Sequence, residues 1–371
     1  MIHWQESAEV FSRLAELETR GAAAALATVV RVSGSAYRRA GAKLLVAADG
    51  ASLGGVSGGC LEADVREVAA RVIAGDEPRL LHYDTSAGDD DVLGLGLGCR
   101  GRVEVFVQPA TTGPLAVLAA AWRRRLAADA PFAAVTVVAG EAGEAGGAPG
   151  ATALVGDDGS FDGSLGGPLV GFARRNAAAW LAAGRPVSAE ADGRLLFVEV
   201  LAPPPHLVVC GAGDDAEPLV ELAAGAGFRV TLVDHRSALV TAERFPHAAR
   251  RAAARPDDPE LALPPAGRSL AVVMTHSLAH DRGWTGRLLA AGLPYVGLLG
   301  PRDRTAEIRR GLAARAGAGA RLDERLYGPV GLDLGADGPR QVAISIVAEL
   351  LAVVAGRRPR HLTERGAAIH A

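Results

Sequence analysis

The amino-acid sequence predicts an α/β protein built from two differently organised parts. After residue 206, short apolar runs alternate with helical patterns, which is typical of a parallel sheet with helices on both faces. Before residue 202, β-branched runs follow one another with few helices between them, which predicts a mixed α/β domain. A stiff run of prolines at 203–205 separates the two patterns and marks the predicted domain boundary.

The N-terminal part begins with an amphipathic helix at 6–20, and a second helical pattern covers 115–126. Alternating or β-branched runs predict strands at 25–32, 43–47, 80–83, 102–108, 132–138, 152–155 and 195–201. We divide this part into an N-terminal domain, residues 1–110, and a middle α/β segment, residues 111–202, packed against it. No internal repeat is recognisable, and residues 140–150, rich in Gly, Ala and Glu, predict a mobile surface loop.

The C-terminal domain, residues 203–371, alternates strand and helix. Strands are predicted at 207–210, 229–234, 270–275 and 295–299, and helices at 214–226, 282–291, 303–315 and 340–355. The first strand leads directly into Gly211-Ala212-Gly213-Asp214-Asp215-Ala216, a G-x-G-x-x-A motif before a helix, which indicates a Rossmann-like fold. In this motif Gly211 is expected to make the tight turn and Gly213 to let a phosphate approach.

The acidic residues in and after this motif leave the identity of its ligand undetermined. Asp234 ends the next strand about 20 residues later, where the acid that binds a nucleotide ribose is expected. Asp214 and Asp215, however, place carboxylates where a pyrophosphate would lie, although they also suit a helix N-terminus without a ligand. Two interpretations remain: a nucleotide-binding site, or a Rossmann-like fold whose loop binds another ligand.

Composition narrows the class of protein. The 371 residues carry a formal net charge of −3, which argues against nucleic acid and membrane lipid as partners. The three cysteines are too scattered for a disulfide framework, so a reducing cytoplasm is expected. Neither a secretory signal nor a transmembrane run is recognisable.

Two glycine-rich loops each carry a cysteine: residues 54–62 contain Cys60, and residues 94–101 contain Cys99. Glycine lets the backbone approach a bound group closely. The helical pattern after Cys60 places this residue near a helix N-terminus, where an anion or a thiolate is favoured. A buried, inert thiol is the alternative for either residue, and Cys210, inside a predicted strand, is expected in the core.

The turn after the first strand contains a candidate phosphate clamp. Ser33, Gly34 and Ser35 supply hydroxyls and a flexible backbone, and Arg38 supplies a guanidinium group. Lys43, the only lysine of the chain, follows on the next strand. A plain hairpin with exposed arginines is the alternative interpretation of this segment.

Two strand ends of the C-terminal domain carry further candidates. His276 ends a strand and is expected to act as a general base or a ligand, held by Asp281, because strand ends line the crevice of an open α/β sheet. A histidine that only caps the loop is the alternative. Gly300 ends the next strand and permits close approach of a ligand, with Arg302 available to an anion or simply solvated.

With these motifs, the chain resembles the XdhC/CoxI family of accessory proteins for molybdenum hydroxylases. The resemblance runs from about residue 27 to residue 355 and is carried by the segments 28–35, 58–62, 98–101, 211–213, 233–236, 244–246, 274–276, 297–300, 329–333 and 343–349. Two departures from the family's pattern concern the ligand: Arg100 stands where many members have glycine, and Asp214-Asp215 looks more like the CoxI branch.

The resemblance implies a cofactor-binding maturation factor rather than an enzyme. Such a protein binds molybdenum cofactor, as molybdopterin or its cytosine dinucleotide, and passes it to an apo molybdenum hydroxylase such as xanthine or carbon monoxide dehydrogenase. It works beside a cysteine desulfurase, which supplies the sulfido ligand. A homodimer is expected only because most cytosolic oligomers are symmetric dimers.

The resemblance also assigns roles to individual residues. The pterin phosphate is expected against glycine-loop amides, with Arg38 and Lys43 countering its charge, and Cys60 or Cys99 at the molybdenum end. The complete set of expected cofactor-binding residues is Ser33, Gly34, Ser35, Arg38, Lys43, Gly58, Gly59, Cys60, Glu62, Gly98, Cys99, Gly211, Gly213, Asp214, Asp234, Arg236, His276 and Gly300. The alternative function is an NAD(P)-dependent oxidoreductase, which uses the glycine motif, Asp234 and His276 as acid or base.

Overall fold

A computed structural model describes residues 2–34, 36–75, 77–84, 101–140, 146–316 and 324–366. The chain divides between Pro203 and Pro204 into two units, at the run of prolines that separates the two sequence patterns. Part of the predicted loop at 140–150 and most of the second glycine loop lie outside the described residues. No helix in the described ranges is long and apolar enough to cross a membrane.

The first unit opens with a module of one sheet and two helices. Its elements are α1 (Ile2–Thr19), β1 (Ala24–Gly34), β2 (Lys43–Ala47), β3 (Ser52–Gly54), α2 (Glu62–Ile73), β4 (Arg79–Asp84) and β5 (Gly101–Pro109). The strands pair antiparallel in the order β3-β2-β1-β5-β4. Helix α2 covers one face, because Val65, Val68 and Val72 recur at helical spacing and are buried against the strands.

A second module follows in the same unit. Its elements are α3 (Gly113–Ala127), β6 (Phe132–Ala139), β7 (Thr152–Gly156), β8 (Phe161–Gly163), α4 (Gly167–Ala183), β9 (Val187–Ala191) and β10 (Arg194–Leu201). These strands also pair antiparallel, in the order β8-β7-β6-β10-β9. Helix α4 covers one face through Leu169, Ala173 and Trp180.

The two modules have the same order of elements and the same strand pairing. Each runs helix, three strands, helix and two strands, and the third strand of each lies at one edge of its sheet. The structure therefore corrects the prediction that the chain contains no internal repeat. The repeat is not recognisable in the sequence because equivalent positions differ chemically. For example, Thr28 pairs with Lys43 in the first sheet, whereas Thr136 pairs with Thr152 in the second.

The two modules share a hydrophobic core. Phe11 of α1 stacks on Trp122 of α3, with ring centroids 4.4 Å apart, and Trp122 also meets Phe132 of β6 edge to face. A smaller apolar cluster joins β1 and β5 to β6 and β10 through Val30, Phe106, Val138 and Phe197. The modules therefore form one packed body rather than two separately folded domains.

The second unit is a six-stranded parallel sheet. Its elements are β11 (His206–Cys210), α5 (Ala216–Gly225), β12 (Arg229–Asp234), β13 (Arg250–Ala253), β14 (Ser269–Val273), α6 (Leu278–Ala290), β15 (Tyr295–Leu298), α7 (Arg302–Ala316), β16 (Leu326–Tyr327) and α8 (Pro339–Val354). The order β13-β12-β11-β14-β15-β16, counted from β11, is 3-2-1-4-5-6, the order of the Rossmann fold.

Helices cover both faces of this sheet, which confirms the predicted fold class. Leu219 of α5 and Ile346 of α8 belong to the core on one face, whereas Trp284 of α6 and Ile308 of α7 belong to the core on the other. The strand order reverses between β11 and β14, so a crevice opens there at the carboxyl ends of the strands. The loops that follow these two strands border that crevice.

Candidate functional site

The first glycine loop is longer than the fold requires. It joins β3 to α2 through residues 55–61, whereas the equivalent connection in the second module joins β8 to α4 through residues 164–166 only. Since the two modules share their topology, the additional residues of the first loop are not needed to connect the elements. The loop is therefore a candidate for a functional insertion, and it contains the predicted site residues Gly58, Gly59 and Cys60.

Glu62, at the start of α2, fixes the shape of this loop. Its carboxylate accepts hydrogen bonds from the N–H of Val56 at 3.2 Å, from the N–H of Ser57 at 2.8 Å and from the Ser57 hydroxyl. Burial opposes its ionisation, but the bonds from Ser57 and Val56 outweigh this and lower the pKa of Glu62 below its ordinary value. Glu62 thus organises the loop, a different role from the ligand contact expected of it.

Ser57 extends the same network toward the tip of the loop. While its hydroxyl donates to Glu62, its oxygen accepts hydrogen bonds from the N–H of Gly59 at 3.1 Å and the N–H of Leu61 at 3.0 Å. One donor and two acceptor positions are all that a hydroxyl offers, so Ser57 is fully used inside the loop. Ser57 was not predicted from the sequence, although a serine shortly before a helix start is a common capping signal.

Two backbone donors of the loop are left available. Among the described residues, no acceptor meets the N–H of Gly58 or the N–H of Cys60, while Gly59 between them donates to Ser57. Gly59 has φ of +112°, a conformation that favours glycine. Cys60 is half-buried at the edge of the core and lies two residues before α2, near a helix N-terminus as predicted. Free N–H groups beside a thiol suit an anionic or sulfur-containing ligand.

The candidate clamp in the turn after β1 is only partly accessible to a ligand. Ser33 and Gly34 form the exposed end of β1, opposite Arg102 and Gly101 of β5. Arg38 forms an ion pair with Glu6 of α1 at 2.5 Å. The guanidinium group is thus already partnered, and Ser35 lies outside the described residues.

Lys43 is not available to a phosphate, which corrects the prediction made for it. Its side chain is buried, and its ammonium group pairs with the Glu199 carboxylate and donates to the carbonyl of Gly41 at 3.0 Å. Burial raises the pKa of Glu199, and the charge of Lys43 acts against this rise. The pair joins β2 of the first module to β10 of the second.

The backbone of Lys43 nevertheless anchors the glycine loop. Its carbonyl accepts a hydrogen bond from the N–H of Gly55 at 2.8 Å, at the start of the loop. A Cβ atom on Gly54, which has φ of +91°, would overlap this carbonyl oxygen. Glycine at position 54 is therefore required by the turn into the loop. The second glycine loop, with Gly98 and Cys99, lies outside the described residues, so its role stays a prediction.

In the second unit, the glycine motif is shaped by the protein's own backbone. Gly211 has φ of +128°, and a Cβ atom there would overlap the carbonyl of Met274 at the end of β14. Gly211 is thus required by the close approach of two strand ends. Ala216 is completely buried at the start of α5, as the motif predicts for close packing of helix and strand.

Asp234 holds the glycine loop instead of presenting its carboxylate to a ribose, which corrects its predicted role. The buried carboxylate accepts from the N–H of Ala212 at 2.8 Å, from the N–H of Arg236 at 2.9 Å and from the Arg236 guanidinium group at 2.7 Å and 3.0 Å. Burial opposes ionisation, but the bonds from Arg236 and Ala212 lower the pKa of Asp234 to about 2. Arg236 is likewise engaged with Asp234.

The two acidic residues after the glycines are also partnered. Asp214 forms an ion pair with Arg244 at 2.8 Å, and the Arg244 guanidinium group also donates to the carbonyl of Ala212 at 3.0 Å. Asp215 lies 2.8 Å from Nε2 of His276 and folds back over Gly213, where a Cβ atom would lie 2.7 Å from the Asp215 carboxylate. Asp215 therefore lies over Gly213, where a pyrophosphate would approach, whereas Asp214 is exposed and paired with Arg244 at the surface.

His276 is held by Asp215 and not by Asp281, contrary to the sequence prediction. Asp281 instead accepts from the N–H and hydroxyl of Thr275, at 3.0 Å and 2.6 Å, and pairs with Arg304. His276 itself has φ of +60°, which is unusual for a residue other than glycine. Asp281 thus fixes the strand end, and the exposed imidazole follows it in a constrained conformation.

The remaining predicted position, Gly300, follows β15 with φ of +137°. A Cβ atom there would lie 2.9 Å from Cδ of Arg304, so the glycine makes room for the arginine that pairs with Asp281. Within the described residues, no group of three or more His, Cys, Asp or Glu side chains is placed to hold a metal ion.

The structure defines a two-unit α/β protein in which a thiol-bearing glycine loop precedes a Rossmann domain. Residues 17–84 match the family model described as XdhC and CoxI family, and residues 207–350 match the XdhC Rossmann domain. The chain belongs to the XdhC and CoxI family, which confirms the resemblance found in the sequence.

Known proteins match this chain over most of its length. The chain is 32% identical over 335 residues to a probable xanthine dehydrogenase subunit from Bacillus subtilis strain 168, covering 88% of this chain and 92% of that protein. It is 27% identical over 259 residues to the uncharacterized protein YqeB of Escherichia coli K12, covering 61% and 44%. A crystal structure of a xanthine dehydrogenase from Bacillus halodurans matches with a TM-score of 0.75 and 28% identity, covering 96% of this chain and 98% of that one.

Proposed function

We propose that this chain is an accessory protein of a molybdenum hydroxylase, and that it binds molybdenum cofactor and delivers it to the apoenzyme. Its family and its relative named as part of a xanthine dehydrogenase support a client of the xanthine dehydrogenase type. In this proposal the cofactor is cargo, and the chain's task is to hold it and release it. A cysteine desulfurase sulfurates the cofactor before delivery.

The observation that carries this proposal is the glycine loop at 55–61. Molybdenum cofactor has an anionic phosphate at one end and a pair of sulfur atoms at the metal end. The N–H groups of Gly58 and Cys60, which meet no acceptor among the described residues, can donate to either group, and the half-buried Cys60 lies two residues before α2. The residues present therefore fit such a cargo, although Lys43 does not contribute to it.

Rigidity of the loop supports the same proposal. Because Glu62 and Ser57 satisfy the N–H groups of Val56, Ser57, Gly59 and Leu61, the loop is held in shape before any ligand arrives. A preformed site loses less conformational freedom on binding, which raises affinity. A protein that carries a labile cofactor benefits from this, since the cofactor must stay bound until the client is met.

No observation favours the alternative of an NAD(P)-dependent oxidoreductase. The glycine motif is present, but Asp215 covers Gly213, Asp214 is paired with Arg244, and Asp234 is engaged with Arg236 and Ala212. A nicotinamide dinucleotide would have to displace these side chains at both its pyrophosphate and its ribose. We therefore infer that the Rossmann unit of this chain has a role other than hydride transfer.

Gel filtration after addition of molybdenum cofactor tests the proposal. The purified chain is mixed with cofactor released from a molybdoenzyme, and the protein peak is assayed for molybdenum and, after oxidation, for fluorescent pterin. Near-stoichiometric pterin in the peak is expected. The Cys210→Ala variant is a control for thiol loss, because Cys210 is buried in the second unit, where burial raises the pKa of its thiol. Absence of pterin from the wild-type peak, together with enhanced NADH fluorescence on titration, would favour the oxidoreductase.

A further inference from the structure

Tyr37 is an exposed aromatic residue that lies against the glycine loop. Its side chain is 74% exposed, in the turn between β1 and β2. A Cβ atom placed on Gly58 would lie 3.3 Å from Cγ, 3.5 Å from Cδ1 and 3.6 Å from Cδ2 of this ring. Because both Cδ atoms are only slightly farther away than Cγ, that position lies over the ring face near Cγ and not beside the ring edge. One face of Tyr37 therefore covers Gly58, and the rest of the ring is open to solvent.

The backbone that carries Tyr37 is anchored on both sides. Ala36 packs against the core that also includes Val65 of α2, and Arg38 is tied to Glu6 of α1. Tyr37 is thus held at the surface between two anchored residues. Since its side chain is mostly exposed, it contributes little to the hydrophobic core, and stability of the fold does not account for an aromatic residue here.

Gly58 is the residue that connects this ring to the candidate site. Its N–H group, like that of Cys60, meets no acceptor in the described part of the chain, and a side chain at this position would press on the ring of Tyr37. The absence of a side chain thus serves two purposes: it exposes a backbone donor and allows an aromatic ring to rest directly on the loop. The donor for an anion therefore lies on one side of the ring, and the face that is open to solvent lies on the other side.

We propose that Tyr37 is the stacking platform for the planar pterin ring of the cargo. Flat heteroaromatic rings bind to tyrosine faces through stacking, while their charged substituents are bound by nearby donors. The inference rests on the proposed function, because it names the residue that recognises the ring of a cofactor bound at the glycine loop. It assigns ring recognition to Tyr37 and binding of the anionic or sulfur-containing groups to Gly58 and Cys60.

The test compares Tyr37→Leu with Tyr37→Phe in the full chain. Each protein is titrated with molybdenum cofactor, free ligand is separated by ultrafiltration, and bound pterin is oxidised and measured by fluorescence. Loss of a stacking partner is expected to weaken binding about ten-fold in Tyr37→Leu, whereas Tyr37→Phe keeps the ring and binds like the wild type. The melting temperature of both variants is expected to stay unchanged, because the side chain is exposed.

The outcomes separate this inference from the proposed function. If the wild type and Tyr37→Leu bind the cofactor equally well, Tyr37 is not a platform, although the chain still carries the cofactor. If Tyr37→Phe is weakened as much as Tyr37→Leu, the hydroxyl and not the ring face is recognised, and the inference is overturned. If the wild type retains no pterin, the proposed function fails and the inference fails with it.

Discussion

Glu62 binds Ser57 through both the backbone N–H and the hydroxyl of that residue, and this pair closes the glycine loop at its base. The carboxylate is at the first turn of α2, where the helix dipole also favours a negative charge. The pair leaves the N–H groups of Gly58 and Cys60 at the tip without an intramolecular acceptor among the described residues. The same contact that orders the loop thus keeps its donors available.

Replacing Glu62 by Gln is expected to weaken cofactor binding. The variant loses the charge that accepts three hydrogen bonds, so the loop becomes less ordered, and unfolding free energy falls by about 1–3 kcal/mol. Urea unfolding and pterin retention measure the two effects. Glu67→Gln is the matched control on the same helix, since Glu67 is exposed and forms a long ion pair with Arg71 at 3.7 Å. Equal pterin retention in both variants would show that loop order is irrelevant to binding.

The thiol of Cys60 is expected to contribute to binding of the metal end of the cofactor. Cys60→Ser removes this thiol while keeping a side chain of similar size, so retention of molybdenum should fall while the melting temperature stays unchanged. Cys99→Ser is the companion variant, because the sequence predicts the same role for Cys99. Metal and pterin assays after gel filtration measure the effect, and unchanged binding in both variants would exclude a thiol role.

The buried pair of Lys43 and Glu199 predicts a large coupling in stability. Lys43→Met leaves the Glu199 carboxylate buried without its partner and is expected to cost about 3–5 kcal/mol of unfolding free energy. The double variant Lys43→Met with Glu199→Leu should recover most of this loss, because no charge is then buried. A double-mutant cycle by urea unfolding measures the coupling energy. Additive losses in the cycle would contradict the pairing.

Acid stability of the second unit is expected to depend on Asp234. Its pKa of about 2 in the folded protein lies below its ordinary value of 3.8, so its ionised form is stabilised by folding. This contribution is present above pH 3.8, declines as the pH falls toward 2 and is lost below that. Thermal unfolding of the wild type and of Asp234→Asn over the acid range, from about pH 2 to about pH 5, tests this. Relative to the wild type, the variant should lose stability mainly at about pH 5, the upper end of this range. Parallel curves of melting temperature against pH for the two proteins would contradict the low pKa of Asp234.

The fold of the second unit was predictable because local pattern determines it. Each buried parallel strand is a continuous apolar run, and the glycine motif marks the turn after β11. The edge strand β13 was missed because it reads Arg250-Arg251-Ala252-Ala253, which lacks an apolar run. In the first unit the longer strands were predicted, but β3, β8, β9 and helix α4 were not. The repeat became visible only through strand pairing, which a single sequence does not contain.

For the candidate site residues, the sequence predicted their places in the fold but not the residues that they contact. Spacing placed Glu62, Asp234 and His276 at loop or strand ends correctly, because those positions follow from local structure. Their contacts depend on tertiary packing: Lys43 meets Glu199 from 156 residues away, and His276 meets Asp215 instead of the nearby Asp281. A residue on an adjacent element is often closer in space than one a few positions along the chain.

Hydrogen–deuterium exchange of the full chain, with and without molybdenum cofactor, distinguishes a cofactor site at the glycine loop from one in the Rossmann unit. The measurement reports backbone N–H groups, which are the groups proposed to bind the cargo. Exchange in peptides that cover residues 55–61 is expected to slow when cofactor is added, whereas exchange at residues 211–215 is expected to stay unchanged. Unchanged exchange at 55–61, or protection confined to 211–215, would contradict the account and transfer the ligand site to the Rossmann unit.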